Sequence, residues 1–321
     1  MKKRTIAWLV AAIVLVLVGG ILFACAMTAM GWNFARLNTV EYETNTHEIR
    51  EAFEDISIET STADVLFVLS DDDVCKIVCR EPKDDTHAVS VENGTLTISQ
   101  GENRQPIRIN FTSAGTKITV YLPKAEYDSL FVKASTGDIN VAKDLTFRTI
   151  EVQVTTGDVI CSASASEAIS VRTTTGDITM KGVSAESIAL KVSSGKITAN
   201  DIVCKSALHI TVGTGDSYLT NVTCDKLSSD GNTGDISLKN VTAEKEFSIT
   251  RSTGDVWFDR CDGGEIFVET STGTIEGTLR SEKDFSACRA NTGTVRVPKT
   301  QSGGKCELVT NTGDIHVEIK K

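Results

Sequence analysis

From Ser135 onward apolar and polar residues alternate along this chain, and the alternation resets every 19 or 20 residues at a glycine. The ten glycines are Gly137, Gly157, Gly176, Gly195, Gly215, Gly234, Gly254, Gly273, Gly293 and Gly313. Two places after them an apolar residue stands in nine of the ten repeats, as in Ile139, Val159 and Ile178, with Ser217 the exception. Five and seven places before them a second pair recurs, as in Leu130/Val132, Ile169/Val171 and Ile266/Val268. Period two marks a strand with one buried face, so each repeat predicts two short strands joined at the glycine. One such repeat cannot bury its apolar face alone, and a strict period of this length therefore predicts a solenoid whose stacked rungs make the core. The expected fold is all-β: a single-stranded β-helix of about ten rungs over residues 131–321.

Threonine precedes the glycine in nine repeats and aspartate follows it in seven. This phrase suits a type II turn, whose third residue needs a positive φ that glycine adopts without penalty. Stacked rungs would set these side chains about 4.8 Å apart in ladders along one edge, threonine hydroxyls bridging rungs and aspartates bonding turn N–H groups. The second corner, as in Ser184-Ala185-Glu186-Ser187, reads as polar and less regular.

Ahead of the rod, Lys2, Lys3 and Arg4 precede 25 uncharged, mostly apolar residues from Ile6 to Met30. That run is long enough to cross a hydrocarbon core of about 30 Å, and its basic flank should stay cytoplasmic. Residues 1–5 are thus expected as a cytoplasmic tail, 6–30 as a transmembrane helix and 31–55 as a juxtamembrane stalk, with the remainder extracytoplasmic. A signal peptide cleaved near Ala24-Cys25-Ala26, or lipoprotein processing at Leu22-Phe23-Ala24-Cys25, competes with a retained anchor. Ile56, Ile58, Ser61-Thr62-Ala63-Asp64, Val65 and Phe67 match the rung register with alanine in place of glycine. The rod is expected to start there, with an altered corner because alanine tolerates positive φ poorly. Between Val74 and Leu130 the period is lost; Val89, Val91, Asn93-Gly94, Leu96 and Ile98 predict a hairpin, although they also fit a degenerate rung. Ile107, Ile109 and Phe111, then Ile118, Val120 and Leu122, predict two more strands. Residues 56–130 read as an N-terminal β cap with a degenerate first rung. At the far end Ile315, Val317 and Ile319 close the final rung, leaving an open edge that Lys320 and Lys321 would guard.

The formal charge of −10 disfavours nucleic acid as a partner. Of the nine cysteines, Cys204 and Cys224 lie nine residues after their glycines on consecutive rungs, within disulfide range, while Cys288 and Cys306 are offset by two. Small apolar fillers in a stacked core are nonetheless the expected role of these cysteines. The pair Cys75 and Cys79 lacks partners for zinc. His47, His87, His209 and His316 are scattered, no nucleophile has a catalytic spacing, and no enzyme is expected. Asp138, Asp158 and Asp177, and again Asp216, Asp235 and Asp255, are consecutive and invite calcium. Lys196, Thr274 and Thr294 interrupt that row, so turn capping is expected and no cofactor. Tyr218 and Trp257, three places after their glycines, should point outward two rungs apart, about 10 Å from each other. Exposed aromatics on a regular sheet can stack sugar rings, which makes this pair the candidate ligand surface.

The repeated Ser-Thr-Gly-Asp-Ile/Val phrase, Lys117-Ile118-Thr119-Val120-Tyr121-Leu122-Pro123 before the first full rung, and the membrane-proximal apolar run together resemble a bacterial, Firmicute-type family. It is a domain-of-unknown-function family of candidate adhesins with β-strand repeats. The resemblance covers about Ile56 to Ile319 and implies a β-helical surface protein acting in adhesion or binding at the cell envelope. Its partners would be the membrane, through the N-terminal helix, and an envelope glycan or another surface protein. An envelope-stress or regulatory component with a membrane-protein partner is the alternative, and a polysaccharide-active β-helix enzyme a remote one.

Overall fold

The computed structural model describes residues 3–29, 31–32, 40–101 and 115–320. Lys3–Ala29 form a helix, α1, of which Trp8–Ala29 are long and apolar enough to cross a membrane. The described residues after it are strand, turn and short connections. The chain is a β-solenoid of about ten turns, as the period requires.

Rung register follows the apolar pattern. Ile178 stacks between Val159 and Ile197, and Ile169 between Ile150 and Ile188; all are buried. The corner glycines have φ between 127° and 155°. A type II turn would hold φ near +80°, so the corner is wider than expected, and stacking adds a second demand. At Gly234 a β-carbon would fall 2.1 Å from the Gly215 carbonyl oxygen, because successive glycines sit directly on one another. The aspartate ladder is real: Asp138 accepts the Asp158 N–H at 2.8 Å, and Asp158 that of Asp177 at 2.7 Å. Each such carboxylate closes a neighbour's turn, and among the described residues no group of three or more His, Cys, Asp or Glu is placed to hold a metal.

Inter-rung threonine bonds come from a column other than the expected one. Thr173, Thr270 and Thr310, three places before their glycines and buried, donate to the carbonyls of Gly157, Gly254 and Gly273. Arg251 occupies the same interior column and is 2% exposed. Its guanidinium donates to Ser217 Oγ, Ser229 Oγ and the Thr250 carbonyl at 3.4, 2.9 and 3.1 Å. Ser217 thereby explains itself: the one polar residue in its apolar column is a buried acceptor for arginine. Burial holds the Arg251 guanidinium down to about 10, against the opposing charge of Asp230.

The second corner is more regular than the sequence suggests. Six places after the glycine, Gly182, Asp201, Asn221, Asn240 and Arg260 take φ of 52° to 65°. Asn221 donates to Asp201 at 2.8 Å and Asn240 to Asn221 at 3.0 Å, a polar ladder opposite the aspartates. Asparagine and aspartate tolerate this conformation better than other side chains with a β-carbon.

Both ends of the stack depart from chain order. The N-terminal strands are β1 (Tyr42–Ile49), β2 (Asp55–Leu69), β3 (Cys75–Pro82), β4 (His87–Glu92), β5 (Thr95–Gln100), β6 (Thr116–Leu122), β7 (Glu126–Thr136) and β8 (Ile139–Val141). β2 is the rung with Ala63 at its corner, and that alanine does not take a positive φ. It does not start the rod: Ile56 stacks on Leu130 on one side and Leu96 on the other, and Val65 on Ile139 and Ile118. β5 and β6 therefore form an outer rung, and β2 is enclosed. Beyond them the sheet turns antiparallel, β4 on β5, β3 on β6 and β1 on β3. The hairpin at Asn93-Gly94 is present and its strand β5 is also a rung. Residues 42–49 of the expected stalk are strand β1, and the strand expected at Ile107 to Phe111 lies outside the described residues.

At the other end Ile275 stacks on Val256 and on Ile315, and Val295 stacks on the far side of Ile315. The order in space is Gly254, Gly273, Gly313, Gly293. Gly304–Thr312 and Ile315–Ile319 are thus inserted between two earlier rungs, and Lys320 N donates to Leu279 O at 2.9 Å. This overturns the open edge expected at Lys320 and Lys321. The outermost rung is instead Arg289–Thr292 with Val295–Arg296.

Candidate functional site

Insertion of the last strand builds a groove on the outward face that follows each glycine. Trp257 points out of the strand Val256–Thr272, while Phe258 beside it turns inward and packs edge-on against Phe247, ring centres 6.2 Å apart. That buried pair fixes the strand beneath the indole. Across from Phe258 stands Gly277 at φ 150°, where a β-carbon would lie 2.0 Å from the Phe258 carbonyl oxygen. The strand Ile275–Leu279 is thereby held close, and its Glu276 sits in register with Trp257. The next strand in space contributes His316, in register with Glu276, and Glu318, in register with Thr278.

The groove encloses about 320 Å³ and is lined by Trp257, Asp259, Glu276, Thr278, His316 and Glu318, among others. Glu318 is 3.5 Å from His316 Nε2 and 3.4 Å from Lys320 Nζ. Asp259 lies 3.8 Å from Arg260 Nε. Glu276 has no hydrogen-bond or ion-pair partner among the described residues, so a free carboxylate adjoins an indole that is 43% exposed. Such a pairing offers a flat apolar face and an acceptor for hydroxyl or ammonium donors.

Tyr218 lies on the same face, two rungs away through Ser237, in the register expected. It does not line the groove, which extends from Trp257 in the other direction. Its hydroxyl donates to Asp216 at 3.1 Å, and that bond raises the phenol above its ordinary value. Glu276, His316 and Glu318 were missed as site residues, because their neighbourhood exists only through the out-of-order stacking. In chain order the neighbour of Glu276 would be Arg296.

One histidine expected to be isolated is not. His87 Nδ1 is hydrogen-bonded to Glu81 at 2.6 Å and its Nε2 to the Thr60 hydroxyl at 3.1 Å, all three side chains being buried. Glu81 also accepts the His87 backbone N–H and an Asn45 N–H at 2.7 and 2.9 Å. The order hydroxyl, imidazole, carboxylate resembles a nucleophile relay. Its position argues for a cap. Thr60 belongs to the interior column in which Thr173, Thr270 and Thr310 donate to a glycine carbonyl, and here the His87 ring is the hydroxyl's partner instead. The nearby Ser61 N–H, which an oxyanion would need, is already taken by Gln100 Oε1 at 3.0 Å.

Comparison with known proteins agrees with this architecture. A candidate adhesin from Parabacteroides distasonis is 13% identical, with a TM-score of 0.52 over 75% of this chain and 97% of that one. A candidate adhesin from Bacteroides fragilis is 14% identical with a TM-score of 0.43, over 86% of this chain and 97% of that one. At this identity the Parabacteroides distasonis likeness shows the fold alone. These organisms do not bear out the Firmicute-type origin that the resemblance implied. No curated protein matches the chain. The model of the Toastrack DUF4097 family matches residues 53–256 and again 186–321, the overlap falling in the repeats. Covering well over half the sequence, these matches show that the chain belongs to the Toastrack DUF4097 family.

Proposed function

We propose that this chain is a non-catalytic binding protein of the cell envelope, held in the membrane by α1 with its solenoid on the outer side, and that it takes a glycan segment along the Trp257 groove. The observation that carries the reading is the exposed indole of Trp257 beside the unpaired carboxylate of Glu276. An indole face stacks on the apolar face of a sugar ring, and carboxylates accept its hydroxyl protons. The basic residues Lys2, Lys3 and Arg4 support the orientation. That a Parabacteroides distasonis protein of this fold is described as a candidate adhesin supports a surface-binding role.

The test is pelleting of the full chain, in lipid nanodiscs, with purified envelope polysaccharides. Trp257→Ala should weaken binding at least about tenfold, the loss of one stacked aromatic, while leaving the thermal midpoint unchanged. Equal binding by the variant, or no binding to any polysaccharide, rejects the glycan reading. Specific capture of a membrane protein in its place would favour the regulatory alternative.

A further inference from the structure

Cys288 and Cys306 meet where the outermost rung folds over the inserted strand. Cys306 lies in Gly304–Thr312 and is wholly buried, while Cys288 leads into Arg289–Thr292 and is half-buried. Cys288 Sγ stands 3.4 Å from the Cys306 carbonyl oxygen, which brings its thiol against Cys306. Cys161, Cys204, Cys224 and Cys261 each bond a backbone carbonyl as well. Burial pushes Cys161 and Cys224 up to about 12 and Cys261 up to about 11, which makes them poor nucleophiles.

Cys288 departs in the opposite direction. The Cys306 thiol, bonding to its sulfur, holds Cys288 below the usual thiol value although burial opposes this. The same bond, with burial, pushes Cys306 far up. A half-buried thiol inclined to ionise, touching a buried one that is not, is the arrangement of an attacking and a resolving cysteine.

We propose that Cys288 and Cys306 are a modification site, closed by a small disulfide oxidant into a cystine that staples the outermost rung over the inserted C-terminal strand. The Cys288 thiolate attacks one sulfur of the oxidant, and the other sulfur leaves as a thiolate. Cys306 then gives its proton to solvent, and its sulfur attacks the Cys288 sulfur of the mixed disulfide and expels the second half of the oxidant. Two protein thiols lose two electrons in all, and the S–S bond of the oxidant becomes two thiols. The proposal is independent of the glycan reading; in the cell it requires an oxidising compartment, such as the outer side of the membrane.

The purified full chain in detergent is incubated with glutathione disulfide, remaining thiols are alkylated, and linked peptides are identified by mass spectrometry. The folded protein should form the Cys288–Cys306 link before any link between Cys204 and Cys224, and the linked form should melt a few degrees higher. Cys306→Ser should stop at one glutathione on Cys288, and Cys288→Ser should take none. Alkylation of the unmutated chain by iodoacetamide at neutral pH gives a measure that needs no variant, with Cys288 labelled before the other solenoid cysteines. The proposal is overturned by a pair that stays reduced in the folded chain, by an adduct on Cys288 that persists although Cys306 is present, or by a Cys204–Cys224 link that forms first.

Discussion

The guanidinium of Arg251 lies over the α-carbon of Gly231, where a β-carbon would stand 2.6 Å from Nη1. Glycine is there to make room. The neighbouring positions of this column hold Val212 and Thr270, so arginine, glycine and the two serines form one polar substitution of an apolar motif. A buried charge without a carboxylate partner is costly, and well-packed apolar replacement of such groups stabilises proteins by about 1–4 kcal/mol. The combined variant Ser217→Ile, Ser229→Val, Gly231→Val and Arg251→Val should gain that much in urea denaturation. Arg251→Ala alone should lose about 2–4 kcal/mol through the cavity it leaves.

Gly234→Ala should be worse than Asp235→Asn. The alanine meets both a φ of 127° and a contact of 2.1 Å with the Gly215 carbonyl oxygen. A backbone forced out of that conformation should cost about 3 kcal/mol or more. Asparagine can still accept the Asp255 N–H, bonded at 2.8 Å in the native corner, and should cost about 1 kcal/mol. Equal losses in thermal unfolding would assign the corner to the carboxylate ladder instead.

Cysteine pairs on the outward face read the stacking order directly. Glu276→Cys with His316→Cys should cross-link readily, since the two positions are in register on adjacent strands. Glu276→Cys with Arg296→Cys should not, because the inserted strand lies between them. The reverse result, by mass spectrometry, would restore a rod stacked in chain order.

Acid should loosen the junction where the chain leaves its rung. Lys283 is buried there, with Nζ 2.8 Å from Asp262 Oδ1 and 2.6 Å from Ser281 Oγ. Burial works to raise the Asp262 carboxyl, but the bonds from Lys283, Ser281 and the Gly263 N–H outweigh it and hold the group below its usual 3.8. A carboxyl lowered on folding contributes stability that is present above the unfolded value and lost as pH falls through the folded one. Asp262→Asn should therefore cost about 1–3 kcal/mol at neutral pH, and the gap from the native chain should close below about pH 3.8, the unfolded range. A gap independent of pH would show that the charge of Asp262 is not what matters.

Inside the rod the sequence was enough. Ile178 and its neighbours could be placed because period two sets the face and a strict repeat sets the partner. Stacking order at the ends was not legible, since equivalent rungs present the same apolar face and any one fits any other. A trace of it exists in the glycines: Gly263-Gly264 and Gly303-Gly304 are two periods apart, and a β-carbon on Gly304 would fall 1.7 Å from the Gly264 carbonyl oxygen. Paired glycines two repeats apart mark strands that touch across a skipped rung. The site was half legible for the same reason. Trp257 could be read from its offset, but the residues facing it depend on which strand lies next. His87 and Glu81 fall where the period is broken, and no spacing rule applied to them.

The inserted strand also sets how the molecule can be made. During synthesis the Gly293 rung emerges before the strand that finally separates it from the Gly273 rung. Were it to dock where it first fits, the last segment would have no place left. The growing chain must therefore hold this rung back, or release it again, until the ribosome has delivered residues 304–319. Nucleation in the middle rungs with the termini settling last is compatible with that order, whereas a zipper running from the N-terminal rungs onward leads to a trap.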